Sequence, residues 1–309
     1  MSKITCAFIG GTGMGTLFQE LGFVCNEPVL MRTVYGETWL TIVSRGDLAF
    51  VAIDRHHSTG GLRLADQLDH RAYMYALWRL NQFEPDRFNI QFIFTISAVG
   101  GLHNARNIEG GLEVGDIVIP NDVIDFTRGS WSFSIRDQYV HLAFHRSAKG
   151  LFCPYLQTLL RRNKRVKSGG VLACAVQGPL FETPAEIVMH ARQGICDLFG
   201  MRTVTPEAYY ARQMSMHLAV ACVVTDTPDT EEDVDGAEVV RVMNEQKPLL
   251  ADLIISAMLA VHDVTGFTCS CVKYLPVFHP DLAGDPADVP GFKTDPVGEG
   301  LENSPGFAL

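Results

Sequence analysis

The side chains best suited to chemistry stand where apolar, strand-like runs end. Arg55 and His56 follow one such run, Glu182 stands beyond another, and Asp226 ends a third. Cationic groups bind anions, and a carboxyl group holds or moves a proton. Ligands of open α/β sheets sit beyond the carboxyl ends of the strands, so we predict a ligand site at this edge. The structural alternative for Arg55 and His56 is an ordinary solvated strand end.

Two glycine-rich stretches offer backbone groups at the same edge. Residues 10–15 follow the first apolar run and include Gly11 and Thr12, and their N–H groups could cradle an anion. Residues 97–101 follow the run 92–96, and their small size lets another group approach the backbone closely. We therefore predict that residues 97–101 form the floor of a small-molecule site, with a purely structural turn as the alternative.

The chain is long enough for one large α/β domain or two smaller ones, with 309 residues of which 47% are hydrophobic and 19% charged. Apolar runs predict strands at residues 4–9, 39–43, 48–54, 92–96, 117–119, 171–176 and 218–224. Helical spacing predicts helices over about 64–81, 152–165 and 236–262. Residues 276–309 are rich in proline, glycine and acidic side chains, and they predict an extended tail after a domain of residues 1–275.

Two further helices are predicted from their first residues. Thr183, Pro184 and Glu186 form a cap, a first-turn proline and the third-position glutamate of a capping box. Thr205 precedes a second proline and predicts another helix start. Glu186 thus has a structural explanation, whereas Glu182 stands before the cap and has none, which makes it a candidate functional carboxyl.

Composition restricts the classes of partner. The net charge of −10 with no basic stripe argues against a nucleic-acid surface, although an acidic protein can still carry a locally positive site. No apolar run approaches the roughly 20 residues of a membrane span. The N-terminus lacks a secretory signal, and the 8 cysteines have no metal-ligand spacing, so we expect a cytoplasmic protein with reduced thiols and no metal.

Six motifs together resemble a known family. They are GGTG from Gly10, the pair Arg55-His56, SAVGGL from Ser97, QGPLFETPAE from Gln177, GMRTVTPEA from Gly200 and VVTD from Val223. In this order and spacing they resemble the trimeric purine nucleoside phosphorylases, most of all the branch of the 5′-methylthioadenosine and 5′-methylthioinosine phosphorylases. The resemblance spans roughly residues 4–262 and leaves the tail unexplained.

The resemblance implies a fold and a reaction. The fold is a single α/β domain whose mixed, partly barrel-like central sheet is flanked by helices, usually assembled as a homotrimer. The reaction is phosphorolysis, in which phosphate attacks the anomeric carbon of a purine nucleoside and releases the free purine and a ribose 1-phosphate. Inorganic phosphate is the co-substrate, and no metal or organic cofactor takes part.

The resemblance also implies roles for individual residues. Phosphate would be held by Gly11, Thr12, Arg55, His56 and Ala98, together with Arg202 or Thr203. Met201 would lie under the ribose, and Phe181, Glu182 and Asp226 would lie at the purine. Asp226, near the purine N7, would be the catalytic proton donor.

This sequence departs from the family pattern at two places. Arg55-His56 is followed by His57-Ser58 instead of a glycine and a second histidine. GMRTVTPEA is one residue longer than the usual pattern and puts Arg202 where a small hydroxyl residue normally touches phosphate. Arg202 could therefore bind phosphate more strongly, or point away and leave that contact to Thr203.

The substrate prediction rests on two carboxyls. Family members for 6-oxopurines tend to pair the glutamate with an asparagine, and those for adenine nucleosides tend to have the aspartate without the glutamate. This chain has both Glu182 and Asp226. An aspartate accepts a hydrogen bond from a 6-amino group, so 5′-methylthioadenosine or adenosine is the predicted substrate. The alternatives are a 6-oxopurine nucleoside, a catalytically silent homologue that only binds, and a dinucleotide-dependent oxidoreductase, for which the GxGxxG motif is missing.

Overall fold

The computed structural model describes residues 3–11, 16–33, 35–58, 61–127, 134–135, 138–139, 150–230, 235–262 and 269. Thr12 and the predicted tail at 276–309 lie outside these residues. The strands are β1 Ile4–Gly10, β2 Val24–Cys25, β3 Val29–Thr33, β4 Gly36–Arg45, β5 Leu48–Asp54, β6 His57–Ser58, β7 Gly61–Leu62, β8 Phe88–Gly101, β9 Ile117–Ile119, β10 Asp122–Asp125, β11 Ser134–Ile135, β12 Gln138–Tyr139, β13 Lys167–Ser168, β14 Val171–Val176, β15 Leu198–Met201 and β16 His217–Asp226. The helices are α1 Leu17–Glu20, α2 His70–Phe83, α3 Pro154–Leu160, α4 Pro184–Gln193, α5 Val204–Gln213 and α6 Gly236–His262, and a 3₁₀ turn covers Ala65–Gln67.

A large mixed sheet forms the centre of the protein. Its main path runs β10-β14-β15-β8-β1-β5-β4-β2, while β16 pairs with both β8 and β9. β1 is parallel to its neighbours β5 and β8, and β16 is also parallel to β8. The parallel arrangement brings the carboxyl ends of β1, β5, β8 and β16 to one edge. The predicted α/β class with a mixed central sheet and flanking helices is confirmed.

Two apolar layers cover the two faces of this sheet. Along β16, Leu218 and Val220 belong to the cluster that includes α2 and α5, while Ala219 and Ala221 belong to the cluster that includes α3 and α6. Every residue of β16 except Asp226 is buried. Central strands that are buried on both faces read as continuous apolar runs, which is why the sequence pattern located them.

The central strand β8 is longer than predicted. The apolar run predicted a strand over residues 92–96, but the strand continues through residues 97–101, because β16 pairs with Ser97 to Val99 and β15 pairs with Gly100 and Gly101. A Cβ on Gly101 would stand 2.9 Å from Val224 Cγ1. Small residues here therefore allow close approach between strands. This excludes the alternative of a purely structural turn, and the floor of a small-molecule site stays a prediction.

The predicted helix ends divide into one success and several corrections. Thr183 and Glu186 form the predicted capping box of α4. Helix α5 begins at Val204 with Thr203 as its N-cap, because Thr205 is buried in the first turn with Oγ1 2.6 Å from Cys174 Sγ. The predicted helices 64–81 and 152–165 are shorter at His70–Phe83 and Pro154–Leu160, whereas α6 has the predicted bounds.

None of the helices in the described ranges combines the length and apolar character that a membrane crossing requires.

Candidate active site

Arg55 is fixed at the edge where β1, β5 and β8 end. It follows β5 directly, and its backbone N–H donates to the carbonyl of Gly10 at 3.2 Å. Its side chain is only 2% exposed, with Nε 3.0 Å from Glu207 Oε1. Nη2 donates to Thr95 Oγ1 at 2.5 Å. Arg55 is therefore not a solvated strand end, since a cation this deeply buried is held by a counter-ion.

Glu207 is the counter-ion of Arg55, and no role for it was predicted from the sequence. Its carboxylate is fully buried in the first turn of α5 and accepts hydrogen bonds from Tyr73 Oη and Thr95 Oγ1, both at 2.7 Å. Burial raises the pKa of Glu207, and the Arg55 guanidinium opposes that increase. Glu207 lies inside the motif GMRTVTPEA, so the only available signal was that a buried arginine needs a partner. We assign it the role of positioning Arg55.

The guanidinium lies directly against the glycine-rich turn after β1. A Cβ built on Gly11 would stand 3.1 Å from Arg55 Nη1, tighter than an ordinary van der Waals contact. Glycine therefore lets the chain pass close over the cation. The predicted partner Thr12 lies outside the described residues, so this side of the site is defined by Gly11 and Arg55.

Three of the predicted phosphate-binding residues gather around one buried imidazole. The pKa of His70 is lowered to about 3, mainly by burial and also by the positive charges of Arg55, Arg202 and His56. His56 Nδ1 lies 2.8 Å from the carbonyl oxygen of Arg63, and burial lowers the pKa of His56 as well. Because Arg55 and Arg202 both act on this imidazole, their charges provide a local positive potential, as an anion site requires.

The segment after β15 brings the remaining predicted contacts to the same edge. Thr203 is buried with Oγ1 3.5 Å from Ser97 Oγ, while Arg202 Nη1 donates to Gln177 Oε1 at 3.3 Å. Ala98 is half-buried on β8. Met201 packs at Gly178, where a Cβ would stand 3.1 Å from its Sδ.

Two carboxyl groups beyond β14 and β16, those of Glu182 and Asp226, interact electrostatically. Burial raises the pKa of Asp226, whose Oδ1 accepts from Thr225 Oγ1 at 3.0 Å. Burial also raises the pKa of Glu182, and the negative charge of Asp226 raises it further. Glu182 Oε1 is buried and has no hydrogen-bond partner among the described residues. Such a pair favours retention of a proton that a ligand can receive. Phe181 beside it is 44% exposed.

A neighbouring aspartate has a different task. Asp229 Oδ1 accepts from the backbone N–H of His103 at 2.9 Å and so ties the loop after β16 to the loop after β8. Asp229 therefore has a local structural role, because it links these two loops. The charge of the Asp226 carboxyl acts on Glu182 instead.

Gly100 sets the position of the Asp226 carboxyl, and this gives a test. A Cβ on Gly100 would stand 2.9 Å from Asp226 Oδ2 and 3.1 Å from Pro228 Cγ. Gly100→Ala should displace the carboxyl and lower turnover of the nucleoside substrate by roughly 10- to 100-fold, because an active-site displacement of about 1 Å can cost 10²-fold. The control is Gly236→Ala, where a Cβ meets nothing within 4 Å. Equal turnover in both variants would contradict a role for the Asp226 position.

Comparison with known proteins identifies the family. The model of the Phosphorylase superfamily matches residues 69–260, more than half of the chain. A probable S-methyl-5'-thioinosine phosphorylase of Methanothermobacter thermautotrophicus is 31% identical, with 85% of this chain and 86% of that protein covered. An S-methyl-5'-thioadenosine phosphorylase of Mycobacterium tuberculosis is 30% identical over 82% of this chain and 89% of that protein.

A solved structure supports the fold. A methylthioadenosine phosphorylase from an Antarctic soil metagenomic library superposes with a TM-score of 0.71 at 24% identity, covering 89% of this chain and 92% of that one. The motif order, the mixed sheet and these matches agree. The chain therefore belongs to the phosphorylase superfamily, in the family of the purine nucleoside and 5′-methylthioadenosine phosphorylases.

Proposed function

We propose that this protein catalyses the phosphorolysis of 5′-methylthioadenosine or adenosine to free adenine and the corresponding ribose 1-phosphate. The observation that carries the proposal is one sheet edge with a buried, positioned Arg55 at the anion end and the proton-retaining pair Glu182 and Asp226 at the other. The names of relatives point to the same chemistry, since they are phosphorylases of methylthio-nucleosides. Inorganic phosphate is the co-substrate, without an organic cofactor, and a homotrimer is the proposed assembly.

The proposed mechanism separates the two charges of the reaction. Phosphate lies against Gly11, Arg55 and the Thr203 hydroxyl, where positive potential and donors hold its oxygens. It attacks the anomeric carbon as the glycosidic bond breaks, and positive charge builds on the ribose above Met201. The bond electrons move into the purine. Asp226 supplies the proton that N7 accepts, so that the base leaves as a neutral purine.

Arg202 has a subsidiary part in this mechanism. Its guanidinium donates to Gln177, and its charge reaches the buried His70. The hydroxyl of Thr203 lies deeper, beside Ser97 on β8. We therefore propose Thr203 for the direct phosphate contact and Arg202 for the surrounding positive potential.

The choice of purine depends on how the carboxyl pair shares its proton. With a 6-aminopurine, one carboxyl donates to N7 and an ionised oxygen accepts from the 6-amino group. The second candidate is a 6-oxopurine, for which Glu182 would accept from N1–H, and its buried Oε1 favours this reading. The relatives include named phosphorylases of both methylthioadenosine and methylthioinosine.

A panel of nucleosides tests the proposal directly. The purified full-length chain is incubated with methylthioadenosine, adenosine, methylthioinosine and inosine, with and without inorganic phosphate, and base release is followed by ultraviolet absorbance. Phosphate-dependent release of adenine at the highest kcat/KM is the expected result. Faster release of hypoxanthine would select the second candidate. Release of no base from any nucleoside would establish the silent homologue, and binding of NAD(H) is the separate check on the oxidoreductase alternative.

Glu182 should lower the stability of the fold at high pH while contributing to activity. Its folded pKa is raised, so the stability linked to its proton is present below the unfolded pKa and is lost as pH rises through the folded pKa. Glu182→Gln should therefore raise the melting temperature at about pH 8. The increase should be smaller at about pH 4, and kcat/KM should fall. Calorimetry across this range checks the expectation.

Glu186→Gln is the matched control for Glu182→Gln. Glu186 lies four residues away, and hydrogen bonds from Thr183 lower its pKa. Its stabilising effect is present above the unfolded pKa and is lost as pH falls, so Glu186→Gln should lower the melting temperature at neutral pH. A change of melting temperature in the same direction for both variants would contradict the assignment of Glu182 as a buried carboxyl with a raised pKa.

A further inference from the structure

Two thiols and an imidazole converge far from the proposed active site. Cys153 Sγ lies 3.4 Å from His217 Nδ1 and 3.6 Å from Cys269 Sγ. The three atoms all lie within 4.8 Å of one another. Spacing along the chain could not predict this cluster, because Cys153 is 64 residues from His217 and 116 residues from Cys269.

Two of the three separations match those between ligands of a tetrahedral metal ion. Zn–S bonds of about 2.3 Å and Zn–N bonds of about 2.0 Å at tetrahedral angles place two sulfurs about 3.8 Å apart and a sulfur and nitrogen about 3.5 Å apart. The observed separations are 3.6 Å and 3.4 Å. A disulfide needs sulfurs about 2.05 Å apart, so the two sulfurs are not bonded to each other.

The fold holds two of the three ligands in place without help from the third. Cys153 is the N-cap residue of α3, and its backbone N–H donates to the carbonyl of Leu218 at 2.7 Å. His217 is the first residue of β16, and its ring stacks on Phe92 with centroids 5.3 Å apart. Both ligand residues are buried, whereas Cys269 is half-exposed and lies beyond the end of α6. The core thus presents a preorganised thiol and imidazole to which Cys269 adds a second thiol.

We propose that Cys153, His217 and Cys269 bind a structural Zn²⁺ ion. Two thiolates and an imidazole supply three of the four ligands of a tetrahedral Zn²⁺ ion, and a water molecule would be the fourth. These ligands discriminate against Mg²⁺ and Ca²⁺, which prefer oxygen. Binding replaces the thiol protons, which pass to solvent, and involves no change of oxidation state. The ion links Cys269 to the starts of α3 and β16. It stabilises the folded chain because the unfolded chain does not hold these ligands together.

His217 lies at the end of β16 that is remote from the proposed active site, so the ion has a structural role. His217 and Asp226 stand at opposite ends of the strand of 10 residues, and at about 3.3 Å per residue they are about 30 Å apart. The ion cannot touch a substrate that contacts Asp226. Its loss should lower thermal stability and leave phosphorolysis below the melting temperature unchanged.

Metal titration of the full-length chain tests the site. The protein is kept reduced with a phosphine, stripped with a chelator, and titrated with Co²⁺ and then with Zn²⁺. About one Co²⁺ per chain should bind, with thiolate charge-transfer and tetrahedral d–d absorption, and Zn²⁺ should displace it. Cys269→Ser should weaken Zn²⁺ binding by at least about 10-fold and abolish the rise in melting temperature that Zn²⁺ causes in the parent protein.

Cys25→Ser is the control, because it removes a half-exposed thiol outside the cluster. It should bind Co²⁺ and respond to Zn²⁺ like the parent. The proposal is overturned if the Co²⁺ spectrum lacks thiolate bands, or if Cys269→Ser binds metal as tightly as Cys25→Ser. Because the readouts are metal content, absorption and stability, the outcome does not depend on the proposed enzymatic function.

Discussion

Asp226→Ala is expected to lower kcat/KM for 5′-methylthioadenosine by about 10²–10⁴-fold, the usual contribution of a general acid. Burial raises the pKa of this carboxyl, which favours its protonated form relative to an exposed aspartate. Without the carboxyl, the purine must leave without protonation at N7. Steady-state kinetics at saturating phosphate measures the loss, and the melting temperature of the variant should remain close to that of the parent protein.

Asp229→Asn is the matched control, three residues further along the same loop. An asparagine oxygen can still accept the hydrogen bond from the His103 N–H, so turnover should change by no more than a few-fold. Comparable losses in Asp226→Ala and Asp229→Asn would show that the loop conformation matters and that the Asp226 proton does not.

Asp226→Asn tests the choice of purine separately from the chemistry. The amide NH₂ donates to a 6-carbonyl oxygen and cannot protonate N7 as a carboxylic acid does, so turnover should fall while preference shifts toward inosine or methylthioinosine. The ratio of kcat/KM values for adenine and hypoxanthine nucleosides measures the shift. A parent enzyme that already favours the hypoxanthine nucleosides would mean that Glu182 governs the site.

The sequence was most informative where the structural cause is local. The capping box at Thr183 and Glu186 involves residues three apart, and the bounds of α6 follow from its own composition. The same holds for the central strands, whose burial on both faces leaves a continuous apolar run. These elements place Arg55 and Asp226 at one edge of the sheet, which is what the sequence predicted.

The predictions from the sequence failed where contacts between residues far apart in the chain determine the structure. The predicted strand ended at residue 96, yet residues 97–101 continue β8 because β15 and β16 approach it closely from other parts of the chain. Thr205 resembled a helix cap, but its hydroxyl contacts Cys174 on β14. Glu207 was overlooked because its partner Arg55 is 152 residues away. Contacts between distant segments carry no signature in local sequence, and they are the contacts that complete the site.

Arg55→Ala is expected to raise the KM for phosphate by about 10- to 100-fold, since losing a charge-assisted hydrogen bond costs roughly 1.5–3 kcal/mol. It should also destabilise the fold by about 3–5 kcal/mol, because Glu207 remains buried without its counter-ion. Arg45→Ala is the control, an exposed arginine at the end of a neighbouring strand. It should leave both the phosphate KM and stability nearly unchanged.

Glu207→Gln separates positioning from direct binding. The glutamine retains the shape and can still accept the hydrogen bond from Tyr73 through its carbonyl oxygen, but its NH₂ replaces the oxygen that accepts from Thr95, and it no longer neutralises Arg55. The variant should lose stability and raise the phosphate KM less than Arg55→Ala does. The loss of unfolding free energy in the double variant should be smaller than the sum of the losses in the two single variants. The reason is that each single change leaves one buried charge uncompensated, whereas the double change leaves none. Additive losses, or an unchanged phosphate KM in Arg55→Ala, would show that the buried pair stabilises the fold without serving the anion site.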